Sequence, residues 1–202
     1  MTFYAPATRA RRKNDHYPTP PDLAQALPLG LALAGIFLPR PLYDPCHGEG
    51  ALLDALGSPG FGSDLHPASY RPRTSVWPDP VDATDPKAMA DVLGTARSLV
   101  TNPPYGREAQ PIVEAGVELV RKSAIELAAF LVPLPWEAAG GRLDLLRRMR
   151  ARVVPCWRSV WVPGTRGGGK MNYVWLVWTR DVSAFPITVY LRKPGQDHDP
   201  AS

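Results

Sequence analysis

Four short apolar runs in this chain each lead to a side chain that accepts hydrogen bonds. Leu42 and Tyr43 run into Asp44, and a run starting at Phe61 ends on Asp64. A run at Val76-Trp77 lies ahead of Asp82, and Leu99-Val100 leads to Asn102. Helix signals separate them: residues 51–56, stopped by Gly57, and a run to about 93 that opens on Asp85-Pro86. Strands that alternate with helices imply an α/β sheet that is mostly parallel. In such sheets ligands bind at the carboxyl ends of the strands, where these four acceptors fall.

The rest of the chain continues the pattern. A helix is expected over 107–123, with Ile112, Val113, Val117 and Val120 on its apolar face, then a strand over 127–132. An arginine-rich helix follows over about 142–150. Two last strands, 152–162 and 173–178, are joined by a Gly-rich loop, which predicts an antiparallel hairpin. The expected architecture is a mostly parallel seven-stranded sheet with one antiparallel strand near the C-terminus and helices on both faces. Residues 1–15 read as a basic arm, 16–193 as the folded domain and 194–202 as a polar tail.

With 202 residues, 45% of them hydrophobic, the chain can bury a full core in one domain. Its net charge of +4 favours a polyanionic partner only weakly, since solubility alone explains such a value. The two cysteines, Cys46 and Cys156, lie far apart with no metal-binding spacing, which suits a reducing cytoplasm and predicts no metal. Residues 23–39 carry no charge and follow Arg11, Arg12 and Lys13, as a signal peptide would. Pro28, Gly30 and Gly35 interrupt them, so a buried helix and no membrane partner are expected.

The stretch Asn102-Pro103-Pro104-Tyr105 holds the most specific chemistry. Neither proline can donate a ladder hydrogen bond, so the strand must stop there. A residue before proline is pushed out of the helical region, which holds Asn102 at the sheet edge. The result is a rigid ledge with an amide oxygen, a backbone carbonyl without a ladder partner, and the flat face of Tyr105. Two acceptors and a ring suit a planar group bearing an exocyclic amine. A plain turn would use the same residues.

Asp44-Pro45-Cys46-His47-Gly48-Glu49-Gly50 places two glycines between a strand and a helix, where backbone can approach a ligand closely. As a dinucleotide fingerprint it fails, because Leu53 stands at the third glycine position. His47 could touch a ligand from this loop. Residues 164–170 have phosphate-loop spacing, but Met171 follows and the chain continues as a strand, whereas a phosphate loop opens a helix. What remains there is a hairpin loop whose Arg166 and Lys170 either contact nucleic acid or are simply solvated. Trp157, Trp161, Trp175 and Trp178 read as core packing of the last two strands.

Taken together, the motifs resemble the S-adenosylmethionine-dependent DNA adenine-N6 methyltransferases, especially small phage-type members. The residues that carry the likeness are Tyr17-Pro-Thr19-Pro20-Pro21, the loop from Asp44 to Gly50, Asp64, Asp82-Ala83, and Asn102 to Tyr105. The resemblance covers about residues 16–180 and implies a Rossmann-like methyltransferase fold. It implies that Tyr17, Thr19 and Pro20 close over the methionine part of S-adenosyl-L-methionine. Asp44, Pro45, Cys46, Gly48 and Gly50 would hold its amino-acid end. Asp64 and Leu65 would meet the ribose, and Asp82 and Ala83 the adenine. Asn102 and the Pro103 carbonyl would accept the protons of the target amine, with Pro104 stiffening the ledge and Tyr105 stacking on a flipped adenine. DNA is then the expected partner. No segment is long enough to be a recognition region, so target specificity could be short, loose, supplied by the basic hairpin loop, or supplied by a protein partner. RNA bases and a protein glutamine amide are alternative substrates, and a non-catalytic domain of the same fold is a further one.

Overall fold

The computed structural model describes residues 18–57, 60–66, 75–76, 80–161, 171–181, 186–193 and 195. Tyr17, Arg166, Lys170, the basic arm and residues 196–202 lie outside them.

Among the described residues an eight-stranded sheet has the order β3-β2-β1-β4-β5-β7-β6-β8. The first five strands are β1 (Leu42–Asp44), β2 (Gly60–Gly62), β3 (Ser75–Val76), β4 (Ser98–Thr101) and β5 (Leu127–Pro133), all parallel. β7 (Tyr173–Thr179) runs antiparallel to both β5 and β6 (Ala151–Pro155). The seven expected strands, with one of them reversed near the C-terminus, are therefore present. An eighth, β8 (Ile187–Leu191), adds to the edge parallel to β6.

Alternation along β5 shows how the sheet is buried on both sides. Leu127, Ala129 and Leu131 face one core with helices α1 (Pro21–Leu33) and α2 (Ala51–Leu56). Ala128, Phe130 and Val132 face the other, with α3 (Pro86–Val92) and α4 (Ala109–Arg121). α1 is the first part of the uncharged run at 23–39 and stops at Leu33, short of the whole run expected to be helical, with Leu23, Ala24, Leu27 and Leu31 inside. No described helix is long and apolar enough to cross a membrane. Asp85 caps α3 as Asp-Pro predicts, its side chain accepting from the Lys87 N–H at 2.8 Å.

Two other elements are shorter than expected. β6 stops at Pro155, because proline offers the ladder no donor, and residues 156–161 continue without strand pairing. In place of a helix over 142–150 there is a 3-10 turn at Gly140–Arg142 and a single turn, α5 (Leu143–Leu146). Leu143 is exposed and no residue of that turn is buried, so little apolar burial holds a longer helix there.

α1 lies close on β6. A Cβ built on Gly30 would sit 2.2 Å from a Val153 methyl carbon. Gly30→Ala should therefore lower stability by about 1–3 kcal/mol, despite alanine's better helix propensity. Denaturant unfolding reads this, and a stabilised variant would show that α1 does not pack there.

Candidate active site

The strand order reverses between β1 and β4: the chain first builds outward through β2 and β3, then returns to the other side of β1. A crevice opens at such a switch point. Asp44 ends β1 and Asn102 directly follows β4, so the two lead into this crevice from adjacent strands.

Asp44 is 1% exposed. Its Oδ1 accepts from the Thr101 hydroxyl at 2.6 Å and from the Cys46 N–H at 3.0 Å. Burial pushes its carboxyl up to about 7, against the lowering effect of these two bonds. A buried carboxylate so perturbed at a sheet switch point is a candidate functional residue. Burial also raises the Cys46 thiol, which keeps it neutral.

The loop after Asp44 is sewn to the exit of β2. The Ser63 N–H donates to the Asp44 carbonyl at 3.0 Å, and the His47 N–H to the Ser63 carbonyl at 3.0 Å. The Gly48 N–H reaches Asp64 Oδ2, also at 3.0 Å. Gly48 and Gly50 have φ of +51° and +85°, a region costly for other residues, so the turn needs glycine at both. His47 is buried, and a Cβ on Gly62 would lie 2.1 Å from its ring, so the ring packs on that glycine. Burial lowers its pKa.

Asp64 is half-buried just past β2, and its Oδ1 accepts from the His66 N–H at 2.8 Å. Each oxygen keeps a lone pair for a further donor. Leu65 beside it is 51% exposed, an apolar surface in the open. Asp82 is exposed, with Oδ1 bound to the N–H and hydroxyl of Thr84 at 2.8 and 2.7 Å, while Ala83 is buried. The Val81 N–H donates to the Asp64 carbonyl at 3.1 Å, joining these two acids' segments. Pro45 is buried in the loop. Thr19 and Pro20 are buried at the head of α1, which is tied through Asp22 to the segment after β6.

On the Asn102 side, the Tyr105 hydroxyl donates to Asn102 Oδ1 at 2.6 Å, which fixes the orientation of the amide. Pro103 is buried and Pro104 half-buried. The Tyr105 ring lies 5.6 Å from Tyr173 and 6.2 Å from Trp161, edge to face with the latter. Trp161 and Tyr173 are 4.7 Å apart. Together the three rings form an aromatic wall beside Asn102. Trp157, Trp175 and Trp178 are core residues as expected, and Trp161, packed against the core, also belongs to this wall. Reading the chain missed Trp161, Tyr173 and Thr101 as site residues. Pro155 was the available signal, since a strand ending there frees Trp161 from the sheet's alternation.

No family model and no curated protein sequence matches this chain. Solved structures do. An RNA methyltransferase described from Pyrococcus horikoshii matches with a TM-score of 0.55 at 12% identity, over 86% of this chain and 93% of that one. The rRNA methyltransferase AviRa from Streptomyces viridochromogenes matches with a TM-score of 0.50 at 14% identity, over 82% and 86%. The fold is Rossmann-like, as in these methyltransferases. At such identities the likeness concerns the fold, and the chemistry must be argued from the residues.

Asp44 generates a testable pH dependence. Its folded pKa, about 7, lies above the ordinary 3.8, so the folded state holds the proton more tightly than the unfolded state does. Stability should then fall as pH rises from about 4 to about 7 and level off above. Asp44→Asn keeps the acceptor and removes the charge. It should stabilise the protein at pH 8 by an amount on the order of a few kcal/mol and have little effect at pH 4. Thermal unfolding at both pH values measures this, and equal effects at both would place the buried charge elsewhere.

Proposed function

We propose that this chain is an S-adenosylmethionine-dependent methyltransferase acting on the exocyclic N6 amine of adenine in DNA. The observation that carries the reading is the ledge of Asn102 and Pro103, which leaves the sheet at the switch point next to the buried carboxylate of Asp44.

The residues fit the cofactor's chemistry. A ligand with a sulfonium and an ammonium offsets the cost of burying Asp44, and the glycine loop leaves room for its amino-acid end. Asp64 has lone pairs for ribose hydroxyls, and the exposed face of Leu65 suits the apolar side of a nucleoside. When bound, S-adenosylmethionine supplies a methyl group that the target nitrogen attacks in line, the C–S electron pair passing to sulfur.

The chain's own part is orientation and charge. Asn102 Oδ1 and the Pro103 carbonyl accept the amine's two N–H bonds, turning its lone pair toward the methyl group. Positive charge grows on that nitrogen as the N–C bond forms, and two fixed acceptors stabilise it. The extra proton leaves to solvent afterwards, so no strong general base is required. Tyr105 holds Asn102 in place and offers a ring beside the base. Arg107 and Arg158, both exposed and close in sequence to the wall residues, suit phosphate contacts, as Arg166 and Lys170 do by composition.

Adenine or another base in RNA is the second reading, favoured by the descriptions of the two solved structures as RNA and rRNA methyltransferases. Labelled methyl transfer to DNA, RNA and protein, followed by mass spectrometry of the digests, separates the cases. N6-methyladenine in DNA is the expected product. Label confined to RNA would select the second reading, and label confined to protein would overturn both. No cofactor binding in calorimetry would leave a non-catalytic domain.

Asn102→Ala should reduce turnover at least about 100-fold with cofactor affinity unchanged within about twofold, because it faces the amine. Asp64→Ala should do the reverse, weakening cofactor binding about tenfold. If Asn102→Ala cost both equally, Asn102 would be misassigned.

A further inference from the structure

We propose that Asp22 is a positioning residue that sets the aromatic wall beside Asn102 by locking the segment after β6 to the head of α1.

Asp22 sits in the first turn of α1, where a carboxylate is favoured by the helix dipole alone. Its contacts go further. Oδ2 accepts from the Trp157 indole N–H at 2.8 Å and from the Ser159 hydroxyl at 2.7 Å. The Trp157 N–H also lies 3.1 Å from the Ser159 oxygen, which closes a triangle of three polar groups. Trp157 and Ser159 are 9% and 2% exposed, so little water competes for these bonds. Hydrogen bonds to a carboxylate are the stronger kind.

Its hydrogen bonds aside, the segment after β6 is held by apolar packing, with Trp157 in the core and Trp161 packed against it. β6 ends at Pro155, and the Cys156 N–H makes one last bond, to the Leu191 carbonyl at 2.9 Å. Residues 157–161 have no strand pairing, so the Asp22 triangle is their polar anchor, added to the packing of Trp157. Two residues beyond Ser159 the chain reaches Trp161, which packs on Tyr173 and Tyr105. The ring that completes the wall therefore hangs from a clamp whose other jaw is over 130 residues away in sequence. Releasing the clamp lets Trp161 withdraw from Tyr105, while Asn102 keeps its place on the ledge after β4.

The role as a target-side wall rests on the methyltransferase reading, so two measurements are needed. In the first, methylation kinetics on a DNA duplex, Asp22→Ala should raise KM for DNA about tenfold, with kcat and S-adenosylmethionine affinity changed less than about twofold. Asp22→Asn should restore most of the loss, because an amide oxygen at the Oδ2 position can accept from both Trp157 and Ser159. Ser159→Ala should give part of the effect, and combining it with Asp22→Ala should add nothing, as for residues of one unit. Equal losses in DNA and cofactor affinity would reduce Asp22 to a fold contact and overturn the proposal.

The second measurement needs no substrate: acrylamide quenching of tryptophan fluorescence in the wild type, Asp22→Ala and Asp22→Asn. Quenching should rise in the alanine variant alone. If the wild type methylates nothing, the functional reading fails, and this signal still decides whether Asp22 holds the wall. Unchanged quenching in Asp22→Ala would overturn the positioning role in either case.

Discussion

The pairing of β1 with β4 is what the rest of the site depends on. It places Thr101 beside Asp44, and their 2.6 Å hydrogen bond crosses the point where the sheet's order reverses. Every polar group of the candidate site is placed relative to that crossing. The glycine loop departs from Asp44, the Asn102 ledge departs from Thr101, and Asp64 is tied back to the loop through Gly48. A sheet buried on both faces leaves a carboxylate there little water, so Asp44 stands at odds with its surroundings. Such local conflict inside an otherwise consistent fold is characteristic of functional sites.

The two sides of the crevice are built differently. The Asp44 side is made of backbone: a short ladder of N–H to carbonyl bonds between 44–50 and 60–64 gives it a shape that few side chains decide. The Asn102 side is made of side chains, with one amide, one phenol and two further rings meeting from three separate parts of the sequence. Backbone suits a ligand whose shape is always the same. Side chains give a surface that varies readily in evolution without disturbing the sheet.

That difference explains what could be read from the chain. Asp44, Asp64, Asp82 and Asn102 were legible because each follows an apolar run within a regular alternation of strand and helix, and α3 was announced by Asp85-Pro86. The central strands were legible because β5 and β7 are continuously apolar and buried on both faces. Trp161 and Tyr173 were not, since their contact with Tyr105 depends on where β6 stops and on pairing between distant segments. The arginine-rich stretch from 142 looked helical by propensity but has too few buried positions to sustain more than one turn. β8 was missed because its partner is β6, and half-buried Ile187, Thr188 and Val189 give a weak pattern alone.

β8 also bears on how this chain survives in a crowded solution. Without it, β6 would present its unpaired N–H and carbonyl groups on a strand rich in valine, the kind of border along which one molecule adds to another and aggregation begins. β8 covers that border, and is itself short, half-exposed and followed at once by exposed Arg192 and Lys193. Charges at such a boundary repel a second copy. β8 thus covers the border of β6 with an edge that offers a second molecule little to pair with.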